Sequence, residues 1–246
     1  MRFPDRIPVK IVMLGAGGTG GHIAVNLYRI LHAAKQKVRF ILVDGDLVEE
    51  KNLVRQHFSP ADLGQNKAQA LAERYAEVYG LMAEYIPEFI ESDVTLYKLL
   101  ESSVKKKRTP EELVILIGAV DNNKSRQMCD RVFYQCQNLV YIDSGNGEHN
   151  GQVVCGVQQK GKTVLEPVAA LYPDILAEGD SFPTEVSCAE ASVSAPQSIM
   201  ANVMAATAVN AIIYNLVFQG ELKIHSLTFS TQSVQMKSNK IKETEK

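Results

Sequence analysis

The stretch Val9-Lys10-Ile11-Val12-Met13-Leu14-Gly15-Ala16-Gly17-Gly18-Thr19-Gly20-Gly21 constrains the fold most, because an apolar run breaks into five glycines just before an amphipathic segment begins. It predicts a buried strand, a tight turn and a helix start. Glycines suit such a turn because a ligand can come close to bare backbone, and the unpaired N–H groups of a first helical turn attract phosphate. A nucleotide is the expected ligand. The spacing Gly15-x-Gly17-x-x-Gly20 also fits the dinucleotide fingerprint, and such glycines can simply close a strand-to-helix corner. Downstream residues have to decide.

Residues 22–34 carry Ile23, Leu27, Ile30 and Leu31 at helical spacing, and residues 38–43 form a second apolar run. A crossover helix makes the two strands parallel, so Gly15 and Asp44 both fall at the carboxyl edge where ligands collect in such sheets. Residues 45–62 read as a long polar loop, and residues 64–79 as a helix with Ala68, Leu71, Tyr75 and Val78 on one face and Asn66 and Lys67 in its first turn. A short strand is expected within 84–90, a solvated basic loop at Lys105-Lys106-Lys107-Arg108, and a central strand over 113–117. Over 122–137 a helix places Cys129, Val132, Phe133 and Cys136 in the core, followed by a strand at 139–142 and a turn at 143–147. Val153, Cys155 and Val157 share a strand face, residues 160–196 read as a crossing segment, and residues 222–229 as an amphipathic strand. The tail after Gln235 is expected to be mobile.

Length, 246 residues, suits one domain of the α/β class with a large core. A net charge of −2 gives no electrostatic case for binding nucleic acid or a membrane. The N-terminal residues lack the apolar core of a signal peptide and the four cysteines form no Cys-x-x-Cys pair, which together predict a reduced, cytoplasmic protein. Residues 191–220 carry no charge and are long enough to suggest a membrane span. Asn202, Thr207, Asn210 and Asn215 interrupt that stretch and favour a buried helix over 199–218.

Asp44 stands where an acidic residue hydrogen-bonds ribose in dinucleotide sites, which alone would favour NAD. The next stretch changes the balance. Asp44-Gly45-Asp46, then Asn52-Leu53-Val54-Arg55-Gln56, then Asp62-Leu63-Gly64-Gln65-Asn66-Lys67, and finally Gly118-Ala119-Val120-Asp121-Asn122 with Arg126 follow the glycine turn in order. This series resembles the ThiF/MoeB/ubiquitin-activating adenylation family clearly over residues 9–145. It returns at Ser187-Cys188-Ala189-Glu190-Ala191-Ser192-Val193. The narrower set of ThiF-like proteins of bacterial mobile elements is also similar. The resemblance implies a Rossmann-like, mostly parallel sheet flanked by helices, with a β-rich C-terminal part. The nucleotide-binding part would span about 7–145, the crossover, late helix and last strands about 146–235, and the tail 236–246.

The implied chemistry is ATP- and Mg²⁺-dependent adenylation of a carboxylate, with pyrophosphate leaving. By resemblance the backbone of Gly15, Gly17, Gly18 and Gly20 contacts the nucleotide, Asp44 takes the ribose, Arg55 and Lys67 hold phosphates, Asn52 and Gln56 brace the loop, and Asp121 holds Mg²⁺ with Asp46 near the metal side. Taken singly, Arg55 and Lys67 could be surface charges, Asp46 a turn residue, and Asp121 a helix cap. Their joint placement on the ligand side of one sheet favours a site. Cys188 matches the position where some members carry a covalent intermediate. Glu185 and Glu190 flank it and disfavour a thiolate, so adenylation is expected to proceed without it.

The implied acceptor is the C-terminal Gly-Gly of a small ubiquitin-like or sulfur-carrier protein, and the implied assembly is a homodimer. Adenylation of a modified tRNA base, an NAD-dependent oxidoreductase and a non-catalytic nucleotide-binding adaptor stay open. Relatives tend to begin with a helix whose arginine reaches the partner subunit's ATP. Arg2 and Arg6 are poor substitutes for it. Many bacterial relatives carry two Cys-x-x-Cys pairs for structural zinc, which this chain lacks, so the comparison with them predicts no zinc here. Family members also carry Ala-Gly-Val where this chain has Ala191-Ser192-Val193.

Overall fold

The computed structural model describes residues 1–4, 6–102, 112–185 and 198–241. Its strands in chain order are β1 (Val9–Leu14), β2 (Val38–Val43), β3 (Tyr85–Ile86), β4 (Leu113–Gly118), β5 (Leu139–Asn146), β6 (Asn150–Gln159), β7 (Lys162–Leu165), β8 (Ile224–Ser230) and β9 (Gln235–Lys240). Its α-helices are α1 (Gly18–Ala33), α2 (Lys67–Tyr79), α3 (Asp93–Leu100), α4 (Asn123–Gln135), α5 (Val168–Leu171) and α6 (Ile199–Gln219).

All these strands join one sheet in the order β3-β2-β1-β4-β5-β6-β8-β9, with β7 paired to β6. From β3 to β5 every pairing is parallel, and from β5 onward every pairing is antiparallel. The expected α/β class with a β-rich C-terminal part is therefore present. Chain order reverses at β1, which has β2 on one side and β4 on the other. In open α/β sheets a crevice forms at such a point beyond the carboxyl ends of the strands.

Period-two alternation sends Val9, Ile11 and Met13 of β1 into a core shared with α1, α2 and α6, and Val12 and Leu14 into a second core under α3 and α4. Both faces are covered, which is why β4 reads as a continuous apolar run and β1 is apolar but for Lys10. Cys129, Val132, Phe133 and Cys136 lie in the second core, while Val153, Cys155 and Val157 share the first, as their spacing predicts. Cys129, Cys136 and Cys155 are buried free thiols, and burial pushes all three above the usual thiol range, Cys136 to about 11 and Cys155 to about 12.

Helix α6 is the uncharged helix, long and apolar enough to cross a membrane, yet 61% of its most apolar window is buried inside this protein. Of its polar interruptions, Asn210 serves packing, since it is buried and donates from Nδ2 to the Ile23 carbonyl of α1 at 3.3 Å. Ser198 caps the helix by accepting from the Ala201 N–H, and Gly220 ends it at φ +60°.

Several boundaries differ from the sequence expectation. Helix α1 begins at Gly18 rather than near His22, because glycines packed against neighbouring backbone can be helical where tertiary contacts hold them. Residues 143–146 extend β5 instead of turning, since β6 supplies an antiparallel partner for each of them. Helix α3 carries no strong periodic signal. On α2 Val78 is exposed, and the buried stripe runs through Ala68, Leu71, Ala72 and Ala76. The tail expected to be mobile from residue 236 instead pairs with β8 through Lys240 as edge strand β9. Its polar, outward-facing residues conceal a strand whose order comes from backbone pairing.

Candidate functional site

The glycine turn after β1 sits at the topological reversal. Gly15 adopts φ +96°, and a Cβ there would stand 2.4 Å from the Ala119 carbonyl oxygen, so the turns after β1 and β4 meet backbone to backbone. Gly17 caps α1 without a side-chain hydrogen bond, and the first turn of the helix holds no acidic residue. The positive end of the helix dipole is therefore left for an external anion.

Asp44 ends β2 beside this turn. Its Oδ2 accepts the Ala16 N–H at 2.6 Å and its Oδ1 the Asp46 N–H at 2.9 Å, so the carboxylate braces the turn. Burial pushes Asp44 up to about 6 against the opposing pull of Lys67. Because the folded value exceeds the unfolded one, the fold binds more protons than the unfolded chain between about pH 4 and pH 6. The stability this group contributes is full below that window and is lost as pH rises through it. Relative to Asp44→Asn, the unfolding free energy of the wild type should fall by on the order of 2–3 kcal/mol from pH 4 to pH 7. Parallel urea-denaturation profiles for the two proteins would refute that assignment.

Lys67 and Asp46 meet. The Lys67 ammonium is buried and lies 2.7 Å from Asp46 Oδ2, while the Asp46 side chain is 54% exposed. The Lys67 backbone N–H also donates to the Asp46 carbonyl, and Asn66 Nδ2 donates to the carbonyls of Asp44 and Asp46. Asn66 then caps α2 by accepting the Gln69 N–H at 3.0 Å. The helix start, its lysine and the end of β2 thus form one rigid corner.

The long loop is ordered by two single 3₁₀ turns, Glu50–Asn52 and Pro60–Asp62. Asn52 is buried, its Oδ1 accepting the Glu49 N–H at 2.9 Å and its carbonyl the Gln56 N–H at 2.9 Å, so it ties the 3₁₀ turn to the residues that follow it. Arg74 of α2 ties the loop down through an ion pair with Asp62 and a hydrogen bond to the His57 carbonyl. So held, the loop lays Gln56 against Gly17. It also puts Arg55 Nη1 2.9 Å from the point a Cβ on Gly18 would occupy.

Asp121 lies beyond the end of β4 and is exposed, with Asn122, not Asp121, capping α4 by accepting the Ser125 N–H at 2.8 Å. The corner is anchored from below. Arg126 Nη2 donates to the Val120 carbonyl at 2.7 Å, and its Nε lies 3.5 Å from Oδ1 of the fully buried Asp143. Tyr141 donates its hydroxyl to the other Asp143 oxygen at 2.9 Å. Burial raises Asp143 above the usual carboxylate range, opposed by Arg126. No group of three or more potential metal-ligating side chains occurs among the described residues. One exposed carboxylate does fit Mg²⁺, which commonly takes one or two protein carboxylates and completes its shell with phosphate oxygens and water.

Sequence reasoning missed a polar cluster on the other side of the turn. Thr19 donates its hydroxyl to Asn146 Oδ1 at 2.8 Å, and Asn146 Nδ2 donates to Asn202 Oδ1 at 2.9 Å. Thr19 and Asn146 are 127 positions apart and Asn146 and Asn202 are 56 apart, and no motif joins them, although Asn202 stands out as a polar break in the apolar helix. Cys188 and the basic run Lys105–Arg108 lie outside the described residues.

The family model of the ThiF family matches residues 8–246. The chain belongs to the ThiF family. No curated protein sequence matches it significantly. Among solved structures, PaaA is similar with TM-score 0.64 at 19% identity, covering 95% of this chain and 64% of that one. MccB from E. coli with ATP gives TM-score 0.64 at 19% identity over 94% of this chain and 63% of that one. The microcin C7 biosynthetic enzyme MccB with N-formylated MccA gives 0.65 at 20% over 94% and 64%. This ThiF-family chain therefore spans less than two thirds of those chains, and at these identities the likeness concerns the fold.

Proposed function

We propose that this ThiF-family protein adenylates a carboxylate with ATP. The observation that carries it is the gathering of Arg55 over Gly18, the Lys67–Asp46 corner and the Asp121 corner around one helix start at the sheet's reversal point. Two cations and an exposed carboxylate suit a triphosphate with its metal better than a dinucleotide. The ATP and MccA in the MccB structures support a nucleotide and an acceptor in this fold.

In this mechanism an acceptor carboxylate oxygen bonds to the α-phosphorus as the bond to the pyrophosphate oxygen breaks. The first turn of α1 and Arg55 bind the phosphates as charge grows on their oxygens, and Lys67 exchanges its Asp46 partner for a phosphate oxygen. Asp44 orients the nucleoside through the ribose. Asp121 would hold Mg²⁺, which supplies charge neutralisation on the phosphates when bound. We further propose that the acceptor is a small ubiquitin-like or sulfur-carrier protein ending in Gly-Gly, that the enzyme is a cytoplasmic homodimer, and that Cys188 acts only after adenylation.

Titration calorimetry with ATP and Mg²⁺, and separately with NAD, tests the nucleotide assignment. ATP should bind and NAD should give no measurable heat at the same concentrations. Tight NAD binding without an ATP signal would replace adenylation with redox chemistry.

A further inference from the structure

Asn202 sits in the first turn of α6, fully buried, and its two side-chain ends face different neighbours. Oδ1 accepts from Asn146 Nδ2 at 2.9 Å, and Asn146 Nδ2 also lies 3.5 Å from the Gly147 carbonyl, an acceptor that suits a nitrogen at that end. That leaves Asn202 Nδ2 pointing the other way. It is buried without a hydrogen-bond partner and lies 2.4 Å from the point a Cβ on Gly18 would occupy. Arg55 Nη1 is 2.9 Å from that same point.

A carboxamide nitrogen only donates, and a buried donor without an acceptor is costly enough to be rare in folded proteins. Here it sits at the positive end of a sixteen-residue helix, beside a guanidinium. All three features select the same chemistry, an oxyanion. Resting on the nucleotide reading above, we propose that Asn202 is a further binding residue of this site, donating its Nδ2–H to a phosphate oxygen of the nucleotide held over Gly18. Thr19 and Asn146 are positioning residues, since their hydrogen bonds aim the carboxamide. Late helix α6 thereby becomes part of the phosphate site instead of only a packing element.

Asn202→Leu keeps the side chain's shape and removes the donor without adding charge. Wild type and variant are titrated with adenosine, AMP and ATP in the presence of Mg²⁺. The variant should lose about tenfold in affinity for AMP and ATP and keep its adenosine affinity, because only the phosphate-bearing ligands meet the carboxamide. Equal losses for adenosine and ATP would show a merely structural role, and unchanged ATP affinity would show that Asn202 meets no phosphate. Either result overturns the assignment. If Asn202→Leu does not fold, Asn202→Ala is read by the same comparison. Wild-type protein that binds none of the three ligands would overturn the nucleotide site itself, and this assignment with it.

Discussion

Asp121→Ala should reduce acceptor-dependent ATP–pyrophosphate exchange by about a hundredfold to a thousandfold while leaving the melting temperature within a degree or two of wild type. The carboxylate is exposed and α4 is capped by Asn122, so its removal opens no cavity and breaks no cap. What disappears is the ligand-side charge that would hold the metal against the phosphates. Arg55→Ala should act on the same step, costing about 3 kcal/mol of transition-state stabilisation. Exchange is measured with the acceptor that co-purifies with the tagged protein. Wild-type exchange in both variants would remove these residues from the chemistry.

Gly20→Ala is expected to be the most damaging single methyl in the molecule. A Cβ at this position would stand 2.0 Å from the Gly15 carbonyl oxygen and 2.7 Å from its carbon. Those atoms are backbone, held by the hydrogen bond from the Gly15 N–H to the Val43 carbonyl, so no flexible side chain can yield. Relief requires moving α1 away from the turn, which disturbs the core contacts of Ile23, Ala24 and Leu27 and separates the helix start from its anion site. The cost should reach about 3 kcal/mol, the upper end for overpacking, and lower the melting temperature by about 10 °C. Nucleotide binding should fall with it. A variant melting with wild type and binding ATP normally would mean that α1 is not packed as described.

The glycine turn, the apolar runs of β1 and β4 and the helical face of α4 were legible in the sequence because local spacing specifies them. So was the ordered series Asp44, Arg55, Lys67 and Asp121, whose resemblance to the ThiF family the family model bears out over residues 8–246. Partner choice was not legible. That Lys67 pairs with Asp46, that Arg126 and Asp143 support the Asp121 corner, and that Asn122 is the cap each depend on residues meeting at set distances in the folded chain. Strand β9 was invisible for a related reason, since an exposed polar edge strand has backbone pairing but no hydrophobic pattern to announce it. Asn202 shows the division most plainly. Sequence gave a polar residue in an apolar helix, a pattern satisfied by any buried hydrogen bond. Only the packing of α6 against α1 turned one end of that carboxamide toward Asn146 and left the other facing Gly18, because the direction of a buried donor is set by neighbours distant in the chain.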